Sequence, residues 1–244
     1  MLKENLTLVV TCVVVIAALF VVAKLCENYL CKDLKRASGS RKITYVAMFS
    51  ALGGVLMLLE IPLFFAPGFY TMDLSELPVL MSSFYLGPVA GVLTELLKVV
   101  IKLLIKGTTT AYVGDFANFV VGCSFILPAS IIYHHHKTRK TAIIGMAVGT
   151  LCLTVFGSAF NAFYLIPKFS VLFGLPLEQI VAMGTEVNGS ITSVWTLVLF
   201  AVVPFNILKG VIDSLLTYLL YKRVEPILFR ETRQKRNAVE ESKP

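Results

Sequence analysis

The stretch Pro204-Phe205-Asn206-Ile207-Leu208-Lys209-Gly210-Val211-Ile212-Asp213 decides how this chain folds. It lies inside an apolar run from about Ile191 to Tyr221, too long and too hydrophobic for anything but a membrane helix. Asn206, Lys209 and Asp213 recur at helical spacing and so share one face. An ionisable side chain inside a span costs roughly 2.5–3.5 kcal/mol on insertion scales. It is therefore turned toward protein or a wet cavity, and it marks a functional site by default. Lys222 and Arg223 mark the cytoplasmic end, because positive charge concentrates on that side. Lys209 stands about 20 Å from Lys222 at ~1.5 Å per residue, past the midplane of a hydrocarbon core about 30 Å thick. It belongs to the outer half, with Asn206 higher still. Two readings of this lysine stand: the wall of a ligand cavity, or a buried ion pair with Asp213.

Composition agrees with a bundle in a membrane. The chain has 244 residues, 57% of them hydrophobic, which excludes an ordinary soluble domain and fits one polytopic bundle. The formal net charge of +7 does not point to nucleic acid, because the basic residues fall mainly in short segments between spans. Cys12, Cys26, Cys31, Cys123 and Cys152 form no C-x-x-C pair and read as small apolar fillers.

Outward from the last helix, the apolar runs alternate with polar connections. Leu6 to Ala23 is long enough to span, and the basic residues Lys32, Lys35, Arg36, Arg41 and Lys42 follow it. Charge after the apolar core, with no small-x-small site, favours a retained helix over a signal peptide and puts the N-terminus outside. Ile43 to Leu59 is the second span, in which Ala47 and Ala51 clear one face for close helix approach. Glu60 to Asp73, with two prolines, a glycine and several aromatics, is an external loop expected to fold over the bundle. Leu74 to Leu86 and Val89 to Lys106 are spans joined by the Gly87-Pro88 turn. The second of these carries Glu95, Lys98, Lys102 and Lys106 on one face, a stripe that either lines a cavity or locks helices together. After the Gly107-Thr108-Thr109-Thr110 turn, Val113 to Tyr133 descends to the basic segment from His134 to Lys140. A metal site at those consecutive histidines is disfavoured, since their side chains diverge. Thr141 to Ile166 rises to Pro167, an external segment from Lys168 to Ser190 holds a short helix, and the last span leads to a polar tail. The expected organisation is an extra N-terminal helix with basic linker (1–41), a six-helix bundle (42–224) and a cytoplasmic tail (225–244).

No Walker loop, H-E-x-x-H or nucleophile elbow is present, so the chain neither hydrolyses ATP nor shows a recognised catalytic apparatus. Instead Asn118, Asn161, Asn206 and Lys209, on three helices, all fall in the outer half, with Tyr70, Tyr112 and Tyr164 near the same level. Amides among aromatics suit an uncharged, flat, hydrogen-bonding ligand. Aromatics at that height also form the ordinary interfacial belt, so the amides and the lysine carry the argument.

At these residues the chain resembles a family. Gly114-Asp115-Phe116-Ala117-Asn118-Phe119 with Phe125-Ile126-Leu127-Pro128 is similar to the fourth helix of the riboflavin-specific substrate-binding (S) components of energy-coupling-factor vitamin transporters. Asn161 with Leu165-Ile166-Pro167, and Pro204 to Gly210, resemble the fifth and sixth helices; Asp73-Leu74-Ser75-Glu76-Leu77-Pro78 with Gly87-Pro88-Val89-Ala90-Gly91 resembles the second and its turn. The resemblance covers roughly Lys42 to Arg223 and departs at the helix before Lys24. It implies an all-α S-component bundle in the cell membrane that captures riboflavin outside and delivers it inward. Asn118, Asn161, Tyr164, Asn206 and Lys209 would hold the vitamin, while Ala47 and Ala51 would dock on a membrane coupling (T) subunit driven by two cytoplasmic ATPases. Riboflavin would be cargo, with no resident cofactor and no metal. The rival readings are an S component for another vitamin, an intramembrane enzyme using Glu95, Lys98 and Asp213, and a structural membrane subunit.

Overall fold

Long apolar runs satisfy every backbone amide internally only as helix, and helix dominates here. A computed structural model describes residues 2–31, 39–108 and 110–228, apart from the side chains of 2–9 and 222–228. Lys32, Lys35 and Arg36 of the basic linker, Thr109 of the turn and the tail from Arg230 to Pro244 lie outside the described residues. The elements are α1 (Leu2–Leu30), α2 (Gly39–Leu56), β1 (Ile61–Pro62), β2 (Thr71–Met72), α3 (Glu76–Leu86), α4 (Pro88–Lys106) and α5 (Val113–His136). They continue with α6 (Arg139–Phe160), α7 (Ile166–Phe173), α8 (Leu177–Val187), α9 (Val194–Leu197) and α10 (Val203–Leu228). On length and composition, Val10–Leu30, Val113–His136, Arg139–Phe173 and Val194–Tyr221 are able to cross a membrane. α4 carries the four charges of the stripe, and the 11 residues of α3 reach only about 16 Å.

Three boundaries differ from the sequence expectation. The helix expected to end at Ile166 runs on through Pro167 to Phe173, because a π-helical turn over Asn161–Leu165 joins α6 to α7. The wide turn shifts the hydrogen-bond register, with the Ile166 amide donating to the Asn161 carbonyl. Pro167 then sits in the first turn of α7, where no N–H is needed. The same device, a π turn over Val198–Val202, precedes Pro204 and joins α9 to α10. α10 also continues to Leu228, into the first residues of the expected tail. Finally, His134 does not belong to the exposed basic segment: its Nε2 turns inward to within 2.9 Å of the Ser83 carbonyl oxygen, while His135 and His136 are exposed.

The helices meet through small residues. A Cβ added at Gly145 or Gly149 of α6 would come 2.6 Å from the carbonyl oxygens of Ala129 and Phe125, so α5 and α6 lie nearly backbone to backbone. α1 is docked on this bundle, with Val15, Ile16, Leu19, Phe20 and Ala23 packed against Val92, Val99, Phe119 and Val120 of α4 and α5. Its Glu27 Oε2 accepts a 3.2 Å hydrogen bond from the Val89 amide at the start of α4. The five cysteines are free. A second apolar cluster joins the loop residues Ala66, Tyr70 and Met72 to Ile166, Phe169, Val198 and Phe205. That cluster frames the site.

Candidate functional site

The loop between α2 and α3 folds inward as a lid. Ile61–Pro62 pairs antiparallel with Thr71–Met72, which carries Tyr70 over the ends of α6 and α10. The Tyr70 hydroxyl donates to Asn161 Oδ1 at 2.8 Å, and its ring lies 5.6 Å from that of Phe205. Asn161 sits at the start of the first π turn, where its Nδ2 donates to the Gly157 carbonyl at 2.8 Å. The wide turn thus aims this amide inward and fixes it at both ends.

Beneath the lid is a cavity of about 530 Å³, inside the size range of small-molecule sites. Asn118, Asn161, Asn206 and Lys209 all line it, so the tertiary structure gathers the four residues that the sequence placed at one depth. Tyr164 is not brought to the cavity wall. It stands three residues past Asn161 on a turn that rotates it away, half-buried with its ring 4.9 Å from that of Phe160. Tyr112, at the start of α5, is exposed and also stands off the cavity wall. Phe69, Tyr70, Phe169, Phe173 and Phe205 supply the aromatic wall instead. Two amide groups keep hydrogen-bonding capacity for a ligand. Among the described residues, Asn118 Oδ1 is buried without a hydrogen-bond partner, and Asn206 Nδ2 has a long 3.4 Å contact to Ser158 Oγ.

The charged residues divide into separate jobs. Lys209 does not form the ion pair with Asp213 that helical spacing allowed. Its Nζ lies 3.2 Å from Asp73 Oδ2 and 3.3 Å from the Asp73 carbonyl oxygen, two acceptors at one place across the bundle. Asp213 is fully buried, and neither of its oxygens has a hydrogen-bond partner among the described residues. Burial alone would push the Asp73 carboxyl up. The ammonium groups of Lys209 and Lys98 and the hydrogen bonds from Ser75 outweigh it and hold Asp73 at about 2. The stability Asp73 contributes is thus complete above the ordinary carboxylate range and lost only as pH falls toward that value.

The stripe on α4 is both things it was read to be. Lys98, wholly buried, donates to Glu76 Oε1 at 2.7 Å and Ser75 Oγ at 2.9 Å, and lies 2.8 Å from Glu95 Oε2, so it locks α3 to α4. One turn on, Lys102 faces the cavity and donates to Asp115 Oδ1 at 2.6 Å, while Lys106 reaches Glu60 of the lid at 2.7 Å. Gly122 of α5 makes room for Glu95, whose carboxyl group would clash with a Cβ there. The wall residues Asp73, Glu76 and Asp115 were not assigned from sequence. Their signal was an acidic residue in or just before the first turn of a helix.

Ala47 and Ala51 are exposed on α2, whose Val46, Phe49 and Ser50 face inward. Small side chains at those two positions are not demanded by packing among the described residues.

Comparison with known proteins gives the same picture. Residues 41–221 match the model of the family described as ECF transporter, substrate-specific component. The chain is 33% identical over 199 residues to the riboflavin transporter RibU of Staphylococcus aureus, covering 82% of this chain and 97% of that protein. It is 28% identical over 187 residues to the riboflavin transporter FmnP of Bacillus subtilis, covering 76% and 93%. A solved S component of a bacterial ECF transporter superposes with a TM-score of 0.61 at 31% identity, covering 78% of this chain and 98% of that one. With this family match and these apolar helices, the chain is a multi-pass membrane protein, a transporter's binding component rather than an enzyme. It belongs to the family of substrate-specific components of ECF transporters.

Proposed function

We propose that this chain captures riboflavin on the outer side of the cell membrane and presents it for inward transport. The observation that carries the reading is the cavity itself: an aromatic wall facing carboxamides, of which Asn118 Oδ1 is buried with no hydrogen-bond partner among the described residues. A flat heteroaromatic ring with several carbonyl and imide groups fills such a site and satisfies those amides. That two relatives are named riboflavin transporters favours this vitamin over a sibling. The test is direct. Protein purified in detergent is expected to carry a flavin absorption spectrum or, once stripped, to quench riboflavin fluorescence stoichiometrically. Colourless protein that leaves the fluorescence unchanged defeats the assignment.

The lid and cavity stand at the outer end in this reading, with the N-terminus outside and the His134–Lys140 segment and the C-terminus in the cytoplasm, the orientation that the placement of the basic residues favours. A cysteine placed at Thr138 is expected to resist a membrane-impermeant thiol reagent added to whole cells, and one at Tyr112 to react. The reverse pattern inverts the topology.

Transport needs an engine the chain lacks, and the family supplies one: a membrane T component and two cytoplasmic ATPases. The face of α2 that exposes Ala47 and Ala51 is the surface proposed to dock on the T component. Replacing both alanines with leucine is expected to abolish uptake in cells while riboflavin binding by the purified protein stays at the wild-type level. Loss of both together would return the two alanines to ordinary packing.

A further inference from the structure

Asp213 has no part in the cavity described above, yet it is the least accommodated carboxyl group of the bundle. It is fully buried on α10, and neither Oδ1 nor Oδ2 has a hydrogen-bond partner among the described residues. Thr217, one turn further along the same face, is also fully buried, and its Oγ1 is equally without a partner there. Counting at ~1.5 Å per residue from Lys222 puts Asp213 about 14 Å in, at the midplane of a hydrocarbon core about 30 Å thick. A charge costs most at that depth, and an ionisable side chain kept there marks a function by default.

The charges around Asp213 do not compensate it. Facing it are Lys209 of its own helix, Asp73 just before α3, Glu76 in the first turn of α3, and Lys98 of α4. α6 packs along α10 with Thr150 against Gly210, and it carries no acidic, basic or histidine residue between Thr141 and Phe160. The π turn over Val198–Val202 carries none either. Both ammonium groups are committed elsewhere. Lys209 Nζ lies 3.2 Å from Asp73 Oδ2, and Lys98 Nζ lies 2.7 Å from Glu76 Oε1 and 2.8 Å from Glu95 Oε2. An isolated ionised carboxylate in such surroundings neutralises itself by taking up a proton. The protonated group needs no cation, and one of its oxygens becomes an O–H donor.

We infer that Asp213 is a proton-binding site in the middle of the bundle, and that its proton leaves Lys209 free to hold Asp73 at the base of the lid. The lysine stands between two carboxyl groups, one on the lid and one a helical turn away at a spacing where acidic and basic side chains pair. With Asp213 neutral, the lid carboxylate has no competitor. With Asp213 ionised and its proton given up to water, the ammonium is drawn back along α10 and the lid loses its anchor. Proton and lid are two ends of one exchange, whichever cargo fills the cavity.

The experiment is infrared spectroscopy on the full chain, purified in a detergent without carbonyl groups. A protonated carboxyl gives a C=O stretch of its own that shifts on transfer to heavy water. Wild type should show this band and Asp213→Asn should lose it. The thermal midpoint of Asp213→Asn should stay close to the parent's, since a neutral amide replaces a neutral acid of the same shape. Asp73→Asn should lose the band as well, because the released Lys209 then stabilises an ionised Asp213; adding Lys209→Met to it should bring the band back. Identical spectra for wild type and Asp213→Asn overturn the proton site. So does a large change in the Asp213→Asn midpoint, a rise marking a stranded charge removed and a fall an ion pair broken. A band that persists in Asp73→Asn overturns the exchange with the lid.

Discussion

Lys98→Met is expected to be among the most damaging single substitutions in the chain. The ammonium group is wholly buried and serves Glu76, Glu95 and Ser75 at 2.7 to 2.9 Å, so its removal strands two carboxylates in the interior of the bundle. Breaking a buried ion pair by deleting one partner costs about 3–5 kcal/mol, because the remaining charge is uncompensated. Here two charges remain, and the junction they stabilise is the α3–α4 hairpin that carries the cavity wall. The expected result is a large fall in the thermal midpoint of the detergent-solubilised protein and little monodisperse material. Neutralising the carboxylates as well, with Glu76→Gln and Glu95→Leu added, should restore much of the loss, since apolar replacement of a whole buried cluster is often near neutral. A Lys98→Met protein as stable as the parent would contradict the cluster.

The second large effect is on binding. Lys209 lines the cavity and holds Asp73 at the base of the lid, so Lys209→Met removes a cation from the wall and unpairs a buried carboxylate. Losing a partner to a buried polar group costs about 1–3 kcal/mol, and 1.4 kcal/mol is a factor of about ten in affinity. Riboflavin binding is expected to weaken about ten- to a hundredfold in a quenching titration. Adding Asp73→Asn to the same protein separates loss of the ligand contact from loosening of the lid. With no stranded charge, the double variant should regain stability but not affinity. Wild-type affinity in the double variant would remove Lys209 from the ligand's surroundings and leave it a structural role with Asp73.

Much of this molecule is legible in its sequence because two physical constraints act locally. A run such as Ile191 to Tyr221 is helical in lipid whatever surrounds it, and the cost of a polar group there forces Asn206 and Lys209 toward protein. Counting residues from basic helix ends then placed Asn118, Asn161, Asn206 and Lys209 at one level, and these four do line one cavity. What depth alone does not give is rotation and partner. Lys209 chose Asp73 over Asp213 because the lid, distant in sequence, brings two oxygens of one residue within reach. Tyr164 shares the level of Asn161 yet misses the wall, since a π turn sets the direction of each side chain along it. In that turn the Asn161 amide donates to the Gly157 carbonyl and Pro167 follows, a combination read in sequence only as a helix end. The acidic residues Asp73, Glu76 and Asp115 became part of the site for the same reason. Their place was fixed by which helix ends converge beneath the lid, and convergence is a property of packing, not of any one segment.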